Sequence, residues 1–304
     1  MKAIVFAYHN IGFTGIEMLV DAGFDIPLVF THEDNPDENV WFKSVKDLCR
    51  RLSIESAAPE NPNTPEWIEK IREISPDIIF SFYYRHMISM EILRIPVLGG
   101  YNLHGSYLPA YRGRCPVNWV IIKGERDTGV TLHEMVEKPD AGPIVARRKV
   151  EIAEDDTALT LFKKLDEATR ALLKEILPEI KSGNISKIPQ DLSAGSYFSG
   201  RRPEDGRISW DSPAREIYNL IRGVTRPYPG AFAFAGENKV LFWSAAYTDD
   251  TTHAPGKIIH TEDTVMIGTQ KGCILPQEIE TGGSVLKGRE LAAWFKQYKG
   301  EYVQ

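Results

Sequence analysis

Three features of the sequence predict an α/β fold, with a parallel sheet in an N-terminal domain and a smaller C-terminal β-barrel domain. Apolar runs at residues 2–7, 26–31 and 78–82 suit strands buried on both faces. Amphipathic stretches between them supply the crossovers that parallel strands require. Beyond a polar, Gly-rich run at 190–206, about five short apolar segments are separated by Gly, Asp and Asn turns, as in a small barrel.

Taken in order, Ile4, Val5 and Phe6 centre the first strand. Gly12 and Gly15 predict a loop, residues 16–22 a helix closed by Gly23 as its C-cap, and 26–31 the second strand. The acidic, Pro-containing run 32–39 reads as a loop, and 41–52 as a helix with Val45, Leu48 and Leu52 on one face. Thr64 before Pro65 marks a helix start, and Ser75, Pro76 and Asp77 its end. Residues 83–87 are the loop leaving the strand 78–82 at its C-terminal end, where open parallel sheets place ligands. A short helix at 88–93, a strand at 99–103 and a helix at 116–123 follow, and 129–135 with 144–152 alternate like a hairpin. The longest helical signal spans 156–180, capped by Thr157 or Thr160 and limited by Pro178. The boundary falls in 190–206, giving domains 1–200 and 201–304. In the second, a helix at 213–223 and a rigid turn at 226–230 precede strands at 232–234, 239–244, 256–260, 264–268 and 272–279, with a closing helix at 288–298.

The 304 residues, 42% apolar and 26% charged, are ordinary for a globular protein with a sizeable core. A net charge of −6 argues against a general nucleic-acid binder. Cys49, Cys115 and Cys273 are odd in number and far apart, which fits a reducing, cytoplasmic compartment better than a disulfide framework. No run approaches ~20 apolar residues, so neither a signal peptide nor membrane insertion is expected.

The densest polar and turn-forming stretch is 99–142. Asn102 and His104, two apart on a strand, share a face. An Asn amide can donate to an oxyanion, and an imidazole can carry a proton near pH 7. Asp140, in a turn with Ala141 and Gly142, follows after a helix and a strand that can return it to the His. On the residues alone two readings stand: an acid–base trio, or a polar strand end with an unrelated turn aspartate. Cys49 reads as packing, Cys115 carries no sign of activation, and Ser106 lacks a GxSxG elbow. His9, His32, His86, His133, His253 and His260 lack metal spacing, and no zinc is expected. The loop after the first strand does not match GxGxxG. Arg112, Arg114, Arg201 and Arg202 suit phosphate or carboxylate contacts, or a solvated surface.

Asn102, Leu103, His104, Gly105, Ser106 and Leu108-Pro109, with Tyr111, Arg112 and Gly113, resemble the signature of formyltransferases that use 10-formyltetrahydrofolate; Asp140, Ala141 and Gly142 match its second half. The run 210–232, WDSPAREIYNLIRGVTRPYPGAF, resembles the opening of that family's second domain. The stretches AYHNIGFTGIEMLVDAGF and SFYYRHMI resemble in particular the formyltransferase domain of the bifunctional enzymes that formylate UDP-4-amino-4-deoxy-L-arabinose and decarboxylate UDP-glucuronic acid.

The resemblance implies a Rossmann-like catalytic domain over 1–200, an OB-like barrel over 201–304 and a nucleotide-sugar acceptor in lipid A aminoarabinose modification and polymyxin resistance. It implies 10-formyltetrahydrofolate as co-substrate, no metal, and no NAD in this region. A fused decarboxylase domain would lie outside this chain. Carried over, His104 handles the proton, Asn102 stabilises the oxyanion and Asp140 supports His104. Folate contacts fall on His86, Met87, Ile88, Arg114, Val136, Glu137, Lys138, Pro139 and Asp140. Separately from the resemblance, the uridine diphosphate is expected at the domain junction, with Arg201, Arg202 or the Arg226 turn as candidate contacts. Tyr107 stands where Leu is commoner, and Cys115 where the close relatives have Ala. Other amino-sugar nucleotides and methionyl-tRNA are the alternative acceptors, and a non-catalytic binding module of the same fold is a third reading.

Overall fold

The structure is a computed structural model that describes residues 1–35, 39–249, 253–260, 264–298 and 301–304. Residues 36–38 of the predicted acidic loop lie outside the described ones. In chain order the first elements are β1 (Lys2–Ala7), α1 (His9–Asp21), β2 (Asp25–Phe30), α2 (Val45–Leu52), β3 (Glu55–Ala57), α3 (Pro65–Ile74), β4 (Ile78–Phe82), α4 (Met90–Leu93) and β5 (Gly100–His104). They continue with β6 (Arg112–Gly113), α5 (Pro116–Ile122), β7 (Asp127–Glu134), β8 (Ile144–Glu151), α6 (Ala158–Lys181) and β9 (Tyr197–Phe198). The chain ends with α7 (Ala214–Val224), β10 (Ala231–Ala235), β11 (Asn238–Thr248), β12 (Ile258–His260), β13 (Val265–Gly268), β14 (Cys273–Thr281), β15 (Ser284–Lys287) and α8 (Gly288–Lys296).

The chain divides into two compact units. The first comprises residues 1–116, 127–151 and 162–199; the second comprises 117–126, 152–161 and 200–304.

In the first unit a seven-stranded sheet runs β3-β2-β1-β4-β5-β7-β8. Strands β3 to β5 pair in parallel, while β7 and β8 join antiparallel, as the hairpin reading of 129–152 required. Phe6, Phe30, Phe80, Phe82 and Tyr101 are fully buried on this sheet, and the Phe6 and Phe30 rings stack at 4.5 Å. Exposed Arg147, Arg148 and Lys149 on β8 blunt the open edge against pairing with another chain.

Helix α1 begins at His9, so Gly12 and Gly15 lie inside a helix and not in the predicted loop. Their missing side chains are what lets the helix sit on the sheet. A Cβ at Gly15 would lie 2.5 Å from the Phe82 ring, and one at Gly12 3.0 Å from the Ala7 backbone. Trp41 and Phe42 precede α2, which starts where the Ser44 hydroxyl accepts the Asp47 N–H at 3.2 Å. Pro178 sits within α6 and does not end it; fully buried Leu177 and Ile180 offset the ~3 kcal/mol cost of an interior proline. The short strands β3, β6, β9 and β15 have no sequence signal of their own.

In the second unit β10-β11-β14-β13-β12 form an antiparallel sheet, with β15 also paired to β14. The sheet curls: Val303 bridges to Ala235 at the end of β10, and Tyr302 to Lys257 beside β12. Phe242, Ile267, Ile274 and Ile279 on the sheet and Phe295 on α8 are fully buried in one cluster. Buried Arg222 donates to the Asp156 carbonyl at 2.8 Å and to Asn219 Oδ1 at 2.9 Å. Among the described residues, no helix is long and apolar enough to cross a membrane.

Candidate active site

Strands β5 and β7 set Asn102 directly opposite His133, and His104 opposite Thr131. Directly opposed residues of an antiparallel pair project to the same face, with Cβ atoms roughly 4.5–5.5 Å apart. The loop 135–143 folds back over that face and brings Asp140 to it. Its turn is tight: a Cβ at Gly142 would lie 1.9 Å from the Glu134 carbonyl oxygen, and Asp140 itself takes φ +53°. Gln190 Nε2 donates to the carbonyls of Asp140 and Gly142 at 3.0 and 2.6 Å, pinning the turn.

Asp140 Oδ1 lies 3.6 Å from His104 Nδ1 and 3.5 Å from His133 Nε2, and its Oδ2 accepts the Gly113 N–H at 2.9 Å. Burial alone would push the Asp140 carboxyl up. The charge of His104, the neighbouring His133 and the Gly113 N–H all act against it. Together they hold the carboxyl well below the usual carboxylate range. His104, 7% exposed, donates from Nε2 to the Tyr111 carbonyl at 2.8 Å. A carbonyl can only accept, so that contact fixes the proton on Nε2. Asn102, His104 and Asp140 thus converge. His133, which joins them, was not singled out in the sequence. Its alternation with Thr131 put it on one face of a strand, but only the β5–β7 register shows what that face meets.

A second concentration of side chains lies where the sheet changes direction. The chain goes from β1 to β2 on one side and returns to β4 on the other, and ligands of open α/β sheets bind outside such a switch point. His9, just after β1, and Tyr83, just after β4, both take left-handed backbone, at φ +65° and +57°. The His9 ring packs 4.5 Å from Trp41 and 4.2 Å from Phe42, and its buried Nδ1 has no hydrogen-bond partner. The Arg85 guanidinium lies 4.7 Å over the Tyr8 ring.

Burial, with the Arg85 charge, lowers His9 to about 3; burial, with His86 and Arg85, lowers His32 to about 4. Both folded values lie below the usual ~6.5, so as pH falls the unfolded chain takes up these protons first. Stability is therefore complete above about pH 6.5 and declines toward pH 3, for His9 by up to about 1.4 kcal/mol per pH unit. His9→Asn, which tolerates left-handed backbone, is expected to flatten that decline in urea titrations between pH 6 and 4. An unchanged slope would show that His9 takes up its proton equally in both states.

His86 and Met87 are exposed in the β4–α4 loop, whereas Ile88 packs in the core with Ile79 and Ile92. Arg114 is exposed, with its N–H on the Phe198 carbonyl at 2.9 Å. Glu137, Lys138 and Pro139 are exposed and Val136 half-buried in the loop over β5–β7. In the second unit Arg201 stacks 4.6 Å from the Trp119 ring, and the Arg202 N–H bonds Asp205 at 2.7 Å. Arg226 is paired with Glu278 and Glu280, which neutralise the charge a diphosphate would need. Among the described residues, no group of three or more His, Cys, Asp or Glu is placed to hold a metal ion.

A family model described as formyl transferase matches residues 14–177, and one described as formyl transferase, C-terminal domain, matches residues 201–296. An N-formyltransferase from Helicobacter canadensis, in complex with folinic acid and dTDP-3-aminofucose, superposes with a TM-score of 0.71 at 22% identity, over 91% of this chain and 98% of that one. HypX from Aquifex aeolicus, in complex with tetrahydrofolic acid, superposes at 0.64 and 19% identity, over 99% of this chain and 48% of that one. Methionyl-tRNA formyltransferase from Clostridium thermocellum superposes at 0.57 and 19% identity, over 83% and 95%. At these identities the structural likeness is one of fold.

Proposed function

This chain belongs to the formyl transferase family and is an enzyme of formyl transfer, and we propose that it moves the formyl group of 10-formyltetrahydrofolate to the amine of a nucleotide-linked amino sugar. The observation that carries this reading is the convergence of Asn102, His104 and Asp140 on one face of β5–β7, under the loop 135–143.

In this reading the unprotonated amine attacks the formyl carbon. A C–N bond forms to the sugar nitrogen, the bond to folate N10 breaks, and the proton lost by the amine ends on N10. An amide N–H of Asn102 stabilises the developing oxyanion. His104 relays the proton at Nε2: the proton now donated to the Tyr111 carbonyl passes to N10, and the vacated Nε2 takes up the proton that the amine loses. Asp140 orients the ring and balances the imidazolium. No covalent formyl-enzyme is required. Residues 1–200 would carry this chemistry, with His86, Met87, the Ile88 backbone, Arg114 and 136–140 offering folate contacts. At the switch point the half-buried rings of Trp41 and Phe42 and the exposed Arg85 would suit a nucleotide base and its diphosphate.

The finer reading is UDP-4-amino-4-deoxy-L-arabinose as acceptor, giving UDP-4-deoxy-4-formamido-L-arabinose for lipid A modification. It rests on the sequence resemblance. The relative bound to dTDP-3-aminofucose supports the class, amino-sugar nucleotides, over that one member. Tetrahydrofolate release from 10-formyltetrahydrofolate should be followed with UDP-4-amino-4-deoxy-L-arabinose, dTDP-3-aminofucose and methionyl-tRNA in parallel. Turnover with a nucleotide sugar alone supports the proposal, and the better sugar decides the finer reading. Turnover with methionyl-tRNA alone, or with none, overturns it.

A further inference from the structure

We propose that His133 is a positioning residue for this reaction, holding the Asn102 amide with its N–H groups available to the oxyanion; the proposal rests on the formyl-transfer reading. His133 is 1% exposed and sits across the β5–β7 ladder from Asn102. On its other side the β7–β8 register shifts between Leu132 and His133, an irregularity of the kind that re-aims a side chain.

The hydrogen-bond chemistry fixes the direction of the contact. His133 Nδ1 lies 2.9 Å from the Glu134 carbonyl, which can only accept, so Nδ1 carries a proton. In the neutral ring Nε2 is then an acceptor, and it lies 3.2 Å from Asn102 Nδ2. An acceptor there requires an N–H from Asn102. The amide is held by one N–H, its other N–H stays free, and its carbonyl oxygen is turned away from the ring. Without this partner the amide can rotate by half a turn and present its oxygen to a developing negative charge, which would repel it.

Asp140 competes for the same atom, with Oδ1 3.5 Å from Nε2. Nε2 cannot accept from Asn102 and donate to Asp140 at once. The shorter contact to Asn102, with Nδ1 already protonated, favours the neutral ring. His133 therefore acts on the reaction through Asn102 and touches no reacting atom.

The test is a double-mutant cycle on kcat. His133→Leu removes the acceptor at similar volume and is expected to lower kcat at least ~10-fold with KM for both substrates changed little, since one oxyanion donor is worth about 10²–10³-fold. His133→Gln retains an acceptor and should restore kcat to within about 3-fold. In an Asn102→Ala background the His133→Leu change should add almost nothing, because its target is gone. If His133→Leu does not fold, His133→Met takes its place. Near-normal kcat in the Leu variant, or an undiminished loss in the Asn102→Ala background, overturns the proposal. Inactivity of the unaltered chain toward every amine would overturn the formyl-transfer reading, and this proposal with it, before any variant is measured.

Discussion

Replacing His104 by Ala is expected to lower kcat for formyl transfer by about 10²–10⁴-fold, with KM for donor and acceptor changed by only a few-fold. The expectation follows from what the ring can do and what nothing beside it can replace. Folate N10 is a poor leaving group unless protonated, and the amine must shed a proton once it has attacked. His104 is the buried titratable group whose two nitrogens already engage a carboxylate and a backbone carbonyl, Nδ1 toward Asp140 and Nε2 toward Tyr111. Its removal should leave binding intact, because the oxyanion donor and the proposed folate and nucleotide contacts are separate residues. The cavity left by the ring should admit added imidazole, which is expected to recover part of the lost rate. Steady-state kinetics with both substrates saturating decide the matter. A variant within 3-fold of the unaltered chain would remove His104 from the proton path.

Much of the sheet was legible because its strands are buried on both faces and read as continuous apolar runs, such as Ile78 to Phe82. Gly12 and Gly15 misled the reading of α1, since glycine marks a turn and a close helix–sheet contact with the same letter. Short pairings such as β6 with β9 depend on tertiary position and leave no periodicity to read. The spacing of Asn102 and His104 announced a shared face, and the turn around Asp140 suggested a returning loop. His133 could not be read, because its meaning lies in the β5–β7 register and not in its neighbours along the chain.

Asp140→Asn is expected to lower kcat by about 10²-fold or more, since the neutral amide cannot balance an imidazolium beside it. The same substitution should change how stability depends on pH, and there the sign can be worked out. The folded carboxyl is held well below its unfolded value near 3.9, against the opposing pull of burial. As pH falls below about 5 the unfolded chain binds this proton before the folded one does, so stability is lost with acid; the contribution is fully present at neutral pH. Asn removes the titration and should remove that share of the decline. Absolute stability at pH 7 is a poor readout, because the Asn variant also escapes the cost of burying a charge, and the two effects oppose. The difference between the unaltered chain and the variant, taken from urea unfolding at each pH, isolates the carboxyl: the decline due to His9 and His32 is common to both and cancels. The stability of the unaltered chain minus that of the variant should fall steadily from pH 5 toward pH 2. Parallel curves would mean that Asp140 gains nothing from His104, His133 and the Gly113 N–H, and its assigned role as the counter-charge of the site would fall.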